Sequence, residues 1–376
     1  MYMKNKRILL IVCIIVLTIM HGCTKDDLNP DTSKYTVYVA GQYDGYRWIG
    51  CYWKNGERTD FNPDGNGMTA MVTGMSVSNG NVYVSGYYHT NENWVDVPCY
   101  WKNGVKTDLP CESDNPPTTP HYRVSYAMDI FASGNDVYTA GRYNVGDDFP
   151  YQVRVQPCYW KNTDRIDIID YPDRYAELTS IYASNGDVYI GGKYDVPAGG
   201  GMPLDETQAC YWKNGVKTDL PGSKSKVTGI FVENGIVYAS GEYNLNFGGV
   251  GTPCYWVDGQ KFDLPTGNAT MTYTKAIFVA NGTVYTAGYC FVDDYAHACF
   301  WKDNQQTTME RRSTASSIYV KDGIVFTCGS FSENRTNDNK YQRFPCYWAN
   351  TKRTELPVTG DLRDTDFNDA VGIFVE

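Results

Sequence analysis

Three histidines, His89, His121 and His297, are the imidazoles left once the first 22 residues are set aside. None sits at a spacing that ligates a metal or activates a nucleophile. His121 with Tyr122, or His297 with Tyr295, could act as the proton-transfer groups of a lyase, and paired carboxylates could serve a hydrolase. Such partners meet in space rather than along the chain, so the sequence leaves them open. Aromatic residues offer a second chemistry. Of nine tryptophans, seven recur in one repeated segment, and Trp48 and Trp94 do not. Tyr46, Phe149, Tyr151, Phe247, Tyr295 and Tyr341 fall in comparable places, near Asp96, Asp147, Asp148, Asp293 and Asp294. Rings flanked by carboxylates suit stacking on sugars with hydrogen bonds to their hydroxyls. The competing expectation is that these rings fold back and cap their own loops. The ligand-binding candidates are Trp48, Trp94, Tyr46, Phe149, Tyr151 and Tyr295. Asp364-Thr365-Asp366-Phe367-Asn368 has the D-x-D-x-N spacing of a calcium loop. Asp369 stands where such a loop needs glycine, however, and no acidic residue occupies position twelve. A solvated loop is expected, with calcium the alternative, and no cofactor is expected.

The elements that must hold these residues are repeats. CYWKNGVKTDLP occurs at 99–110 and again, letter for letter, at 210–221. Weaker copies start at residues 51, 158, 254, 299 and 346, so seven copies lie 44 to 59 residues apart. Between them recurs a second element, as in VTGIFVENGIVYASGEY at 227–243. Each repeat reads as four strands. Strand A (Gly229 to Val232) and strand B (Val237 to Tyr243) alternate on a period of two. Asn-Gly or Asp-Gly pairs such as Asn234-Gly235 join them through a type I′ turn, and only Gly134-Asn135 breaks that pattern. Strand C is the CYW segment. Asn55-Gly56, Asn103-Gly104, Asn214-Gly215 and Asp258-Gly259 turn it into strand D, while the other three C–D turns lack the glycine and are expected to be looser. Strand D is the most polar, as an exposed edge must be.

Four-stranded units repeated about every 45 residues specify an all-β chain folded as a seven-bladed β-propeller of four-stranded antiparallel blades. The seventh copy of the A–B element is split between YTVYVAGQY at 35–43 and AVGIFVE at 370–376. The C-terminal strand 370–376 is therefore expected to pair with the N-terminal strand 35–43 and close the ring. Cys and Trp of each CYW lie two apart and share one face, and Tyr takes the other. Each Trp can bury roughly 150–250 Å², about 4–6 kcal/mol at ~25 cal/mol/Å² as an upper figure. The repeated segment is thus architecture.

The segment resembles the extracellular HAF repeat family in its Trp, turn Gly and Asp-Leu, as at Trp101, Gly104, Asp108 and Leu109. It departs from that family in the Cys-Tyr before the Trp, in the Pro after the Leu and in lacking a following Gly-Gly. The resemblance implies a secreted β-rich repeat protein and no settled activity.

Residues 1–22 read as a separate object. Lys4, Lys6 and Arg7 precede thirteen mostly apolar residues, Ile8 to Met20, too few to span a bilayer but enough for a signal-peptide core. Gly22-Cys23 resembles a lipobox, with Cys23 the lipid attachment site, although Met20 and His21 depart from its usual residues. Thr24-Lys25-Asp26-Asp27 resembles the export tag of surface-exposed lipoproteins of some Gram-negative bacteria. The expected organisation is a leader at 1–22, a lipidated tether at 23–34 and the propeller at 35–376, anchored in the outer membrane by Cys23 and facing the exterior.

Removing the leader takes three positive charges and moves the formal charge from −10 to −13. That balance argues against nucleic acid or anionic lipid as a main partner. The expected partner is an extracellular glycan or protein, with the chain a monomer. Seven of the twelve cysteines repeat with the blades. Packed sheets stand about 10 Å apart and a disulfide needs Cα atoms within about 7 Å, so equivalent cysteines cannot pair. Cross-strand bridges Cys328–Cys346 and Cys290–Cys299 stay open, as does the state of Cys111.

Residues repeated in every blade hold the fold, so function should use residues that occur once. The A–B and C–D turns lie on one side of the disc. The B–C and D–A connections lie on the other and are expected to be long and dissimilar, as at 109–125, 141–157, 192–209 and 329–345. Variable loops on a rigid scaffold are where binding concentrates. The expected function is binding of an extracellular ligand, carbohydrate first, through that face. A polysaccharide lyase or hydrolase and a protein–protein scaffold are the alternatives.

Overall fold

The computed structural model describes residues 30–44, 48–61, 69–89, 95–111, 125–148, 152–168, 176–196, 206–246, 248–335, 341–358 and 368–376. Regular structure among them is entirely strand, in seven separate four-stranded antiparallel sheets. Blade 5 shows the plan: strand A is Lys226–Glu233, B is Ile236–Tyr243, C is Thr252–Val257 and D is Gln260–Asp263. The chain is a seven-bladed β-propeller. Blade 1 takes strand A from Asp369–Val375 and strand B from Val37–Asp44, paired antiparallel from Val37–Val375 to Gln42–Asp369. Thr36 and Glu376 then exchange two backbone hydrogen bonds of 3.0 Å. Head and tail of the ring are joined as the split repeat required.

The repeated segment forms the joints between blades. All seven CYW tryptophans are at most 1% exposed. Trp101 stacks on Phe61 of blade 1, centroids 4.7 Å apart, while Tyr100 on the opposite face packs against Ile130 and Ala132 of blade 3. The indole N–H of Trp256 donates to the Pro221 carbonyl of the preceding blade at 2.9 Å, and Trp53, Trp160 and Trp301 do the same to Pro357, Pro110 and Pro265. Where blade 6 lacks the proline, Glu310 accepts from Trp348 instead. Asp-Leu-Pro at the end of one blade and Cys-Tyr-Trp in the next are therefore two halves of one contact. The strand D charges close a third side. Tyr194 donates to Asp219 at 3.1 Å with Lys217 3.4 Å over its ring. In blade 6 all three positions change together, to Cys290, Gln306 and Thr308, and Gln306 donates to the Cys290 sulfur at 3.6 Å. Cys299 also hydrogen-bonds to Cys290, which lowers the pKa of the Cys290 thiol. Neither Cys290–Cys299 nor Cys328–Cys346 is bridged.

Two local expectations need correcting. The three C–D turns without glycine are no looser than the rest. Asn162, Asp303 and Asn350 open two-residue turns with φ of 58°, 49° and 53°. The side chain supplies the reason. The first turn residue accepts the N–H of the second residue of strand B, as Asn350 does from Val325 and Asn214 from Val188, so Asn or Asp there clamps B to C whatever follows. The connections on the opposite face are also not uniformly long. In blade 6, strands B (Thr283–Val292) and C (Tyr295–Lys302) are joined by Asp293-Asp294 alone, both at positive φ. Its strand D (Gln305–Arg311) reaches strand A of blade 7 (Ser313–Lys321) through the single residue Arg312.

The innermost strand bulges once in every blade, at Thr73, Met128, Thr179, Thr228, Lys275, Ser316 and Val371. A bulge leaves one residue out of the ladder and bends the strand. The glycine that recurs in strand B pairs with the residue just before it, as Gly241 does with Val227. A Cβ on Gly241 would stand 2.0 Å from the Lys226 carbonyl oxygen, and the equivalent glycines meet the same obstacle.

Candidate functional site

The bulges turn seven residues, three of them threonine, toward the axis, where a cavity of about 200 Å³ is lined by strand A of all seven blades. Thr73, Thr179 and Thr228 use their hydroxyls to tie one blade to the next, as Thr179 does to the Val227 carbonyl at 2.9 Å. Asp129 is the odd member of the next position, where the other blades carry Gly, Ser or Ala. Its carboxylate accepts from the N–H groups of Ile130 and Ile181 and from the Ser180 hydroxyl, each at 2.9 Å. Burial outweighs these donors and pushes its pKa up to about 6. Lys275 also projects into the cavity. Desolvation by the surrounding wall, reinforced by Lys226, lowers the pKa of its ammonium against the pull of Glu242 and Asp369. Toward the hairpin-turn face an arc of six rings, Phe131, Tyr182, Phe231, Phe278, Tyr319 and Phe374, narrows the axis at centroid spacings of 4.3–4.9 Å.

On the opposite face the strand ends are unlike from blade to blade. The pairs there include Tyr126–Arg142, Glu177–Lys193, Lys226–Glu242 and Tyr273–Tyr289. Two clusters on this face carry chemistry. In the first, His89 and Asp96 end facing strands of blade 2, Asn81–His89 and Asp96–Lys102. The His89 Nδ1 pairs with the buried Asp96 carboxylate, while the imidazole stays 37% exposed. Tyr126 of blade 3 hydrogen-bonds the same carboxylate, whose pKa burial raises. Tyr87 packs on Tyr126 with centroids 4.4 Å apart, and Arg142 lies 5.0 Å from the Tyr126 centroid. A buried acid that orients an imidazole and leaves its outer nitrogen to solvent is the arrangement of a general base.

The second cluster is a groove of about 320 Å³ between blades 6 and 7, opened by the two short connections above. The Arg312 guanidinium is held 4.3 Å from the Tyr295 ring centroid and 3.7 Å from that of Tyr341. Arg311 covers Tyr295 at 3.4 Å. Thr314, Ser330 and Ser332 supply hydroxyls, Asp294 a carboxylate, and Arg343 a guanidinium anchored by Ser330 and by Asp369 at 2.9 Å.

Of the residues proposed from sequence, Tyr295 lies in this groove, but with arginines over its ring rather than as a bare stacking surface. Trp48 begins strand C of blade 1 opposite Asp44 and is partly buried. Cys23, Tyr46, Trp94, Phe149, Tyr151, Phe247, His121 and residues 364–367 lie outside the described residues. His297 has its Nδ1 3.3 Å from the Met309 carbonyl. Asn368 accepts from the Asp44 N–H and donates to the Arg343 carbonyl, so the end of the D-x-D-x-N stretch serves ring closure. Among the described residues no three His, Cys, Asp or Glu side chains form a metal-sized group. Asp129, Lys275, the His89–Asp96 pairing and Arg312 were not singled out as site residues. Asp129 carried a usable signal, being the one charged residue at a position that is Gly, Ser or Ala in the other blades, whereas the Lys275 position varies from blade to blade.

No family model matches the chain and no curated protein sequence does. The HAF-type resemblance rests on the residues quoted for it. Among solved structures, the chain is similar to the β-propeller domain of the Trilobed protease from Pyrococcus furiosus, at 10% identity and a TM-score of 0.50, over 87% of this chain and 95% of that one. That domain is described as having an open velcro topology, whereas here the terminal strands pair. Phage phi92 endosialidase aligns at 11% identity and a TM-score of 0.41 over 88% of this chain and 67% of its own. Trypanosoma rangeli sialidase aligns at 9% and 0.40 over 90% and 56%. At these identities the first likeness establishes the fold alone: the chain is a seven-bladed β-propeller.

Proposed function

We propose that this protein is exported, anchored through lipidated Cys23 in the outer membrane, and binds an extracellular carbohydrate as a monomer through its B–C and D–A face. The observation that carries this reading is the blade 6–7 groove. It lies on the face where the repeat pattern breaks down, and it combines a 48% exposed Tyr341, three hydroxyls, a carboxylate and guanidinium groups around a sugar-sized space. Sugar sites join a ring surface to convergent polar groups in this way. Full-length protein tested on a glycan array should bind, and Tyr341→Ala should weaken that binding while Trp48→Ala/Trp94→Ala reports on the neighbouring loops. No binding by the wild type, or binding indifferent to all three changes, removes the reading in favour of a protein–protein scaffold. A second reading, a polysaccharide lyase or hydrolase, is favoured by His89 held on Asp96 beside Tyr126. Release of new reducing ends from a polysaccharide, lost in His89→Ala, would decide for it.

A further inference from the structure

We infer that the blade 6–7 groove selects acidic sugars and that Arg312 is the residue that binds their oxyanion. This rests on the carbohydrate reading above and narrows it to a ligand class. Three independent features converge on Arg312. It is the whole connection between two blades and holds φ of 61°, a conformation costly for any residue with a Cβ. The other non-glycine residues at positive φ are Asn or Asp, apart from Lys224, and backbone strain kept at a residue of neither type points to a use for its side chain. The guanidinium is fixed over two tyrosine rings, a placement that orients the group without consuming its N–H donors. Among the described residues nothing accepts a hydrogen bond from that guanidinium and no carboxylate pairs with it. Three other arginines nearby differ: Arg335 pairs with Glu333 and Glu355, Arg343 with Asp369 and Arg353 with Glu310, whereas Arg311, over the Tyr295 ring, shares the lack of a carboxylate among the described residues but does not line the groove.

A guanidinium with no acceptor among the described residues, held beside a cavity, matches the two oxygens of a carboxylate or sulfate. Asp294 and the groove hydroxyls then suit the ring hydroxyls of the same sugar. The net charge of −10 works against unspecific capture of polyanions, so acidic-glycan binding here requires a local cationic site.

Affinity electrophoresis with backbone-matched probes separates the outcomes. Polygalacturonate is compared with its fully methyl-esterified form, and dextran sulfate with dextran. Arg312→Gly is the test variant, because glycine accepts this φ and the variant should melt no lower than wild type; Arg312→Asn is its companion. The expected result is binding of at least one acidic member, weakened about tenfold or more both by neutralising the ligand and by Arg312→Gly. The carboxylate and sulfate arms tell which oxyanion is meant. Equal binding of acidic and neutral members, or acidic binding untouched by Arg312→Gly, overturns the inference while the carbohydrate reading stands. No retention by any glycan in a wider array overturns both.

Discussion

Asp129 offers the sharpest test of how the axis is built. Its pKa stands at about 6 against an ordinary 3.8. The folded protein therefore holds that proton more tightly than the unfolded chain. The associated stability is complete below about pH 4, declines as pH rises through the interval, and is lost above about pH 6. A gap of about two pH units corresponds to about 3 kcal/mol at ~1.36 kcal/mol per unit. That figure is an upper one, since the carboxylate borders a cavity that water can enter. Asp129→Ser places in blade 3 the residue that blades 4 and 7 already carry. The variant loses acceptors for Ile130, Ile181 and Ser180, a cost that does not depend on pH. Urea unfolding of both proteins at intervals from pH 4 to 7.5 isolates the carboxylate, because every other titrating group cancels in the difference. The variant should gain on wild type as pH rises, by up to about 3 kcal/mol across the window. A difference that stays flat, or one in which wild type gains instead, would refute the claim that burial outweighs three hydrogen-bond donors at this site.

Other consequences follow from the joints. Gly241→Ala forces a Cβ to within 2.0 Å of the Lys226 carbonyl oxygen and 2.8 Å of Trp256, and should cost more than about 3 kcal/mol. Gly235→Ala meets open space at φ +82° and should cost only about 1–2 kcal/mol; thermal melts must rank them in that order. Trp256→Phe removes the bond to Pro221 and leaves a void at a joint, a loss of about 2–3 kcal/mol by chemical denaturation. Deleting residues 369–376 exposes strand B of blade 1 and should convert a single cooperative melt into early, protease-sensitive opening; an unchanged melt would contradict closure by the two chain ends.

Much of the fold could be read from the sequence because each blade states the same local requirements. Period-two alternation, turn residues with positive φ and one buried indole recur seven times, so blade number, strand order and the split closing blade follow without coordinates. Side chains at the blade joints mostly repeat, and where blade 6 departs, Glu310, Cys290, Gln306 and Thr308 take over the contacts. What only the tertiary structure decided is where unlike residues meet. His89 and Asp96 face each other across two strands and gain Tyr126 from the next blade. Arg312 lies between Tyr295 and Tyr341 only because two connections are short, and seven bulges in strand A bring Asp129 and Lys275 to one axis. Bulges and blade-to-blade approach arise from packing over the whole ring, and no local stretch of residues specifies them.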